Sequence, residues 1–223
     1  IPVEKKVLNE NQIVAAKLRE CFQQQGIFCF NIISSPGSGK TSLLERTLER
    51  LPRDSRVAVL TGDLQTENDA KRLERFGFPV RQIITGGTCH LDARMVEKHL
   101  AEWDLARLDT LIIENVGNLV CPTSYDLGEA FKVVMLSVTE GDDKPLKYPS
   151  IFFKSELMLL NKIDLLPYVP FDTEKAKENA RKVHPGMEII DVSCTTGAGL
   201  DEWMLWLEHK RAASVTTTNS SSS

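Results

Sequence analysis

Apolar residues fall into two alternating patterns along this chain. Short, nearly continuous apolar runs rich in β-branched residues occupy Ile27–Ser34, Arg56–Thr61, Val80–Thr85, Asp109–Glu114, Val133–Val138, Leu157–Asn161 and Met187–Val192. Runs of that length, without polar alternation, predict strands buried on both faces of a parallel sheet. Between them the apolar spacing changes to three and four. Val14, Leu18, Cys21 and Phe22 form one stripe ending before Gly26, and Leu44, Leu48 and Leu51 a second, stopped by Pro52. Val96, His99, Leu100 and Trp103 make a third stripe, and Leu200, Trp203, Met204 and Leu207 a fourth. Each is the one-sided pattern of an amphipathic helix. Strand–helix alternation over the whole length predicts an α/β fold with a mostly parallel central sheet and helices on both faces. Apolar periodicity stops at Lys210, and Thr216–Ser223 holds only Thr, Asn and Ser. The expected organisation is an N-terminal helix over 1–26 packed on a domain spanning 27–210, then a flexible tail over 211–223.

Composition narrows the class. The 223 residues are 42% hydrophobic and 26% charged, which is globular composition, and a chain of this size buries a core without disulfides or structural metal. A net charge of −4 argues against binding nucleic acid through bulk charge. No apolar run is long enough to cross a membrane, and Glu4-Lys5-Lys6 does not read as a signal peptide. The five cysteines (Cys21, Cys29, Cys89, Cys121 and Cys194) are an odd number at irregular spacing, which suits a reducing compartment. The expectation is a cytoplasmic protein with neither nucleic-acid nor membrane partners.

Ser34-Ser35-Pro36-Gly37-Ser38-Gly39-Lys40-Thr41 stands between a strand pattern and a helix pattern. In that context the string reads as a P-loop, with Pro36, Gly37, Ser38, Gly39, Lys40, Thr41 and Ser42 as candidate nucleotide contacts. Gly37 and Gly39 let backbone N–H groups turn inward, and the helix N-terminus favours phosphate. Lys40 would reach the outer phosphates and Thr41 would offer its hydroxyl to Mg²⁺. The first consensus glycine is Ser34 here, a strained choice if that position needs a positive φ.

Asn161-Lys162-Ile163-Asp164 follows an apolar strand and resembles the base-recognition motif of GTPases. The Asp164 carboxylate can accept two hydrogen bonds from guanine, whereas adenine would leave it unpaired; such sites discriminate by about ten-thousandfold. Lys162 would cover the base, Asn161 would tie loops together, and Ser193 and Cys194 sit where backbone would support the base. Asp63 and Glu114 stand at strand ends, where a phosphate-bound Mg²⁺ would lie, with Asp69 nearby. Asp63 or Asp69 would position the attacking water. Gly117, in Glu114-Asn115-Val116-Gly117, would bond the γ-phosphate and move when it leaves. With Asn118 where a glutamine could have oriented water, slow hydrolysis to GDP is expected.

Cys89-His90, at the start of a helix pattern, and Cys121, just past Gly117, carry ligands that suit Zn²⁺ or Ni²⁺. A helix start would lower a thiol's pKa. Three ligands leave a fourth to water, another side chain or a second subunit. Adjacent helical residues point about 100° apart, so the pair could also bridge two ions or face a partner chain.

These blocks, together with Gly62-Asp63, Asn68-Asp69-Ala70, Gly87-Thr88-Cys89-His90-Leu91-Asp92-Ala93, Ile113-Glu114-Asn115-Val116-Gly117-Asn118-Leu119-Val120-Cys121-Pro122 and Thr139-Glu140-Gly141-Asp142-Asp143-Lys144, resemble the HypB family, the GTPases of hydrogenase nickel incorporation. The resemblance covers about residues 8–210. It implies a SIMIBI-type GTPase domain, a GTP-dependent homodimer, and a nickel or zinc site of Cys89, His90 and Cys121 at its interface. It also implies a HypA-type nickel-binding accessory protein as partner and, indirectly, the [NiFe] hydrogenase large subunit. The expected coupling is a lever: Gly117 moves on hydrolysis and shifts Cys121 relative to Cys89 and His90. The competing readings are a GTPase for urease or cobalamin-enzyme maturation, and a zinc-binding adaptor whose nucleotide site is vestigial.

Overall fold

Strands buried on both faces are what the sequence predicts, and β1 (Phe28–Ser34) has all seven residues buried. The computed structural model describes residues 2–63 and 68–220. Its sheet adds β2 (Val57–Asp63), β3 (Val80–Ile84), β4 (Thr110–Glu114), β5 (Phe131–Ser137), β6 (Leu157–Asn161) and β7 (Glu188–Asp191). The strand order is β3-β2-β4-β1-β5-β6-β7, and every neighbouring pair is parallel.

The period of two sorts side chains into layers. Phe28, Phe30 and Ile32 of β1 join Leu43, Leu44 and Leu48 of α2 (Lys40–Arg50) on one face. Leu73 of α3 (Asn68–Glu74) and Trp203 and Trp206 of α8 (Leu200–Ser220) complete that layer. On the other face Cys29 meets Ala15, Leu18 and Phe22 of α1 (Pro2–Gln25), with Val96 and Leu100 of α4 (Ala93–Leu100). Farther along that face, Ile33 packs with Ile151 and Phe152 of α6 (Pro149–Lys154) and Ala176 and Ala180 of α7 (Thr173–Val183). The one-turn α5 (Lys144–Lys147) precedes α6.

Because β1 lies between β4 and β5, the crevice outside the carboxyl ends of the strands opens beside it, where open α/β sheets bind ligands. Ser34, Asp63, Glu114 and Asn161 each end a strand on that rim.

All seven predicted strands are present, with ends shifted by at most two residues. Two local expectations change. Asp92 caps α4, its Oδ1 accepting the Met95 N–H at 2.8 Å, so Cys89 and His90 precede the helix instead of opening it. Their side chains are therefore not held to the divergence of about 100° between adjacent helical residues. The last helix continues to Ser220, past the start of the expected tail, because a helix already nucleated by packed tryptophans propagates without an apolar stripe; residues 221–223 lie outside the described residues. Among the described residues no helix is long and apolar enough to cross a membrane.

Candidate functional site

The turn after β1 folds back on itself through side chains. Ser34 is fully buried and not at positive φ; its Oγ accepts from Lys40 Nζ at 3.0 Å and donates to the Ser35 carbonyl at 2.7 Å. The missing consensus glycine therefore brings no backbone strain. Gly37 and Gly39 do sit at positive φ, 73° and 104°, the region where glycine has no steric penalty. Gly39 has a second constraint, since a Cβ there would lie 2.5 Å from Asn161 Nδ2. Burial pushes the Lys40 ammonium below its ordinary pKa, against the pull of Glu114, Asp69, Glu140 and Asp63.

The Asn161–Asp164 loop is tied to this turn. Asn161 Nδ2 donates to the Ser38 carbonyl at 2.8 Å, and Lys162 Nζ to the Gly37 carbonyl at 2.7 Å. Lys162 has φ 64°, the one positive value at a non-glycine among the described residues, and such strain tends to sit at functional loops. Ser193 Oγ donates to Asp164 Oδ1 at 2.6 Å and fixes the carboxylate. The Cys194 carbonyl accepts from Arg46 Nε at 2.8 Å, and burial raises its thiol to about 11. Asn161, Lys162, Asp164 and Cys194 line a cleft of about 850 Å³.

A second cleft, of about 480 Å³, is lined by Lys40, Thr41, Asp63, Asp69, Glu114 and Gly117 among others. Gly39, Ser42 and Lys162 border both clefts, so a base in one and phosphates in the other fit a single bound nucleotide. Thr41 Oγ1 donates to Glu114 Oε1 at 2.8 Å. Glu114 is 4% exposed, and its Oε2 has no hydrogen-bond partner. Burial raises this carboxyl to about 7, although Lys40 and the Thr41 hydroxyl pull it down. An orphaned, buried carboxylate oxygen beside a threonine hydroxyl is the donor set Mg²⁺ takes. Gly117 presses on the loop, where a Cβ would come within 2.9 Å of Pro36 Cα.

The thiol and imidazole residues also meet. One ligand atom from each of Cys89, His90 and Cys121 lies within 4.8 Å of the others, and the two sulfurs are 2.6 Å apart. The His90 ring stacks on Tyr125 at 3.8 Å between centroids, while its buried Nδ1 has no hydrogen-bond partner. Burial lowers the His90 pKa, against Asp92, which favours the neutral, ligating ring. The hydrogen bond to Cys89 raises the Cys121 thiol, helped by burial. A bound ion would have to displace the Cys121 proton.

Residues 28–191 match the family model described as CobW/HypB/UreG, nucleotide-binding domain. The hydrogenase maturation factor HypB of Azotobacter vinelandii is 53% identical over 209 residues, 94% of this chain and 69% of that protein. The chain belongs to the HypB family. The HypB of Escherichia coli strain K12 is 52% identical over 213 residues, 96% of this chain and 73% of that protein. The crystal structure of HypB from Helicobacter pylori in complex with nickel superposes with a TM-score of 0.85 at 41% identity, covering 92% of this chain and 96% of that one.

In this HypB-family chain, several contacts escaped the sequence reading. Glu140 accepts from Ser38 Oγ at 2.7 Å and braces the P-loop. Arg72 lines the cleft beside Lys40 and Glu114 and pairs with Glu45 at 2.7 Å. Tyr125 buttresses His90. Glu140 lay in a quoted block but without a role; Arg72 and Tyr125 had no spacing signal, because their contacts cross between elements.

Proposed function

We propose that this chain is a GTP-hydrolysing metallochaperone that binds nickel and assists its insertion into [NiFe] hydrogenase. Guanine would be read by Asp164, held by Ser193, with Lys162 across the loop and Asn161 fixing the loop's distance from Ser38. The phosphates would sit on the backbone of Pro36–Ser42, with Lys40 leaving Ser34 to neutralise the outer oxygens. Thr41, Asp63 and Glu114 would hold Mg²⁺, which supplies charge neutralisation on the β- and γ-oxygens when bound. Asp63 or Asp69 would orient the water whose oxygen bonds to the γ-phosphorus as the β–γ bridge breaks. With no glutamine beside Gly117, intrinsic turnover is slow, which suits a timer.

Nickel is the cargo, taken by the Cys89 and Cys121 thiolates and neutral His90, with Zn²⁺ as its competitor. The observation that carries this reading is the segment from Glu114 to Cys121. It starts in the phosphate cleft and ends on the thiol pair, and its seven steps span at most about 25 Å. Movement of Gly117 away from Pro36 would therefore reach Cys121. A homodimer formed in the GTP state would hold the metal between protomers in the cytoplasm, and hydrolysis would release it toward a HypA-type nickel-binding partner and the hydrogenase large subunit.

The test uses two single substitutions. Lys40→Ala should lose nucleotide binding and keep the thiols, whereas Cys121→Ala should hydrolyse GTP and lose nickel. A Lys40→Ala protein that still turns over GTP, or a Cys121→Ala protein that binds nickel as before, would overturn the reading.

A further inference from the structure

Leu91, the residue after His90, rests on both strand ends that border the phosphate cleft. Its N–H donates to Asn115 Oδ1 at 3.2 Å. Its buried side chain lies against Gly62, where a Cβ would come within 2.8 Å of Leu91 Cγ. Asn115 follows Glu114 and Gly62 precedes Asp63, so one residue touches the neighbours of both acidic groups. Asn115 is 0% exposed; its Oδ1 also accepts from Val116 N at 3.0 Å, and its Nδ2 donates to Asn31 Oδ1 at 3.3 Å on β1. Three positions on, Asn118 Nδ2 donates to the Cys89 carbonyl at 3.3 Å, and its Oδ1 accepts from Val120 N at 2.8 Å.

We propose that Asn115 and Asn118 are positioning residues that make the Cys89–His90 loop follow the 114–120 segment, so that nucleotide state sets metal affinity through two side-chain amides. This rests on the nucleotide-coupled metal site proposed above. The covalent chain from Gly117 reaches Cys121 alone. Without the amides, the Cys89–His90 loop would keep the sulfur contact to Cys121 but lose both hydrogen bonds to the segment, and would follow its movement less closely. With them, residues 89 and 91 are bonded to the same segment that carries Gly117. An amide suits the task because it accepts from a backbone N–H and donates elsewhere from one rigid plane. The Leu91 N–H is buried, so it cannot exchange Asn115 for water without cost.

A third asparagine provides the contrast. Asn11 of α1 accepts from Ala93 N at 2.8 Å and donates to the Asp126 carbonyl at 2.9 Å. It clamps the chain just beyond each ligand loop without bonding to the 114–120 segment, so its role is structural.

The experiment is a nickel titration of the full chain by competition with a chelating dye, with GDP or a non-hydrolysable GTP analogue held saturating. In the unaltered protein the two affinities should differ by about fivefold or more. In Asn118→Ala and Asn115→Ala that ratio should fall to within about twofold of one. In Asn11→Ala both affinities should weaken together, with the ratio kept. Hydrogen exchange at the Leu91 amide should differ between nucleotide states in the unaltered protein and lose that difference in Asn118→Ala. Asn118 is only part-buried, so its variant decides the question even where Asn115→Ala does not fold. A large ratio that survives in Asn118→Ala overturns this inference alone. A ratio of one in the unaltered protein overturns the underlying reading as well.

Discussion

Thr41 Oγ1 and Glu114 Oε1 are hydrogen-bonded at 2.8 Å, which joins the first turn of α2 to the end of β4. In the nucleotide site proposed above, this contact would put a hydroxyl and a buried carboxylate beside a metal-bound phosphate. Glu114→Gln keeps the shape and removes the charge. The part of GTP affinity that depends on Mg²⁺ should then shrink by about 1.5–3 kcal/mol. Nucleotide titrations with and without Mg²⁺ measure it, and an unchanged Mg²⁺ dependence would count against Glu114 as a ligand.

Asp164 should decide which base is accepted. Asp164→Asn replaces a carboxylate acceptor by an amide, with two charge-assisted hydrogen bonds at about 1.5–3 kcal/mol each at stake. The preference for GTP over ATP should fall by at least about a hundredfold, read from competition binding. Ser193→Ala removes only the hydroxyl at 2.6 Å that steadies the carboxylate, so its effect should be smaller and in the same direction.

Gly39→Ala meets two obstacles at once, a φ of 104° and the Asn161 amide 2.5 Å from the new Cβ. It should impair phosphate binding and guanine preference together, because relieving the clash moves Asn161 off Ser38. A variant that loses only phosphate affinity would show that the two loops are not coupled there.

The strands were legible because a doubly buried strand has to be apolar along its whole length, as β1 and β6 are. The loops proposed to hold phosphate and base stand out in the sequence for a different reason: their glycines, lysines and carboxylates sit at fixed short spacings. Asp92, a good capping residue type, is the local signal that places the start of α4 after the Cys89–His90 turn. Ser34 looked strained from the consensus alone, and only its backbone conformation and buried hydroxyl resolve that. Contacts such as Leu91 to Asn115 and Tyr125 to His90 depend on separate segments meeting, and no local pattern encodes them.

The Arg19–Asp126 pair, at 2.6 Å, anchors α1 to the loop beyond Cys121. Burial alone would raise the Asp126 carboxyl, but the Arg19 guanidinium and the Gly128 N–H reverse that and hold it below its ordinary value of 3.8. A depressed carboxyl stabilises the fold above its unfolded pKa, and that stability is lost as pH falls through the lower folded value. The unaltered protein should therefore shed this contribution only below about pH 4. Arg19→Met should be less stable at neutral pH and converge toward the unaltered protein in acid, as read by thermal melts over a pH series. Parallel curves at every pH would remove the pair from the account.

The central claim is that the nucleotide cleft governs the thiol–imidazole site. The most direct measurement is solution mass together with bound nickel, for the same preparation loaded with GDP and with a non-hydrolysable GTP analogue. The account predicts a shift toward a dimer with the analogue and a nickel affinity that differs between the two forms. Equal mass and equal nickel affinity in both would contradict it.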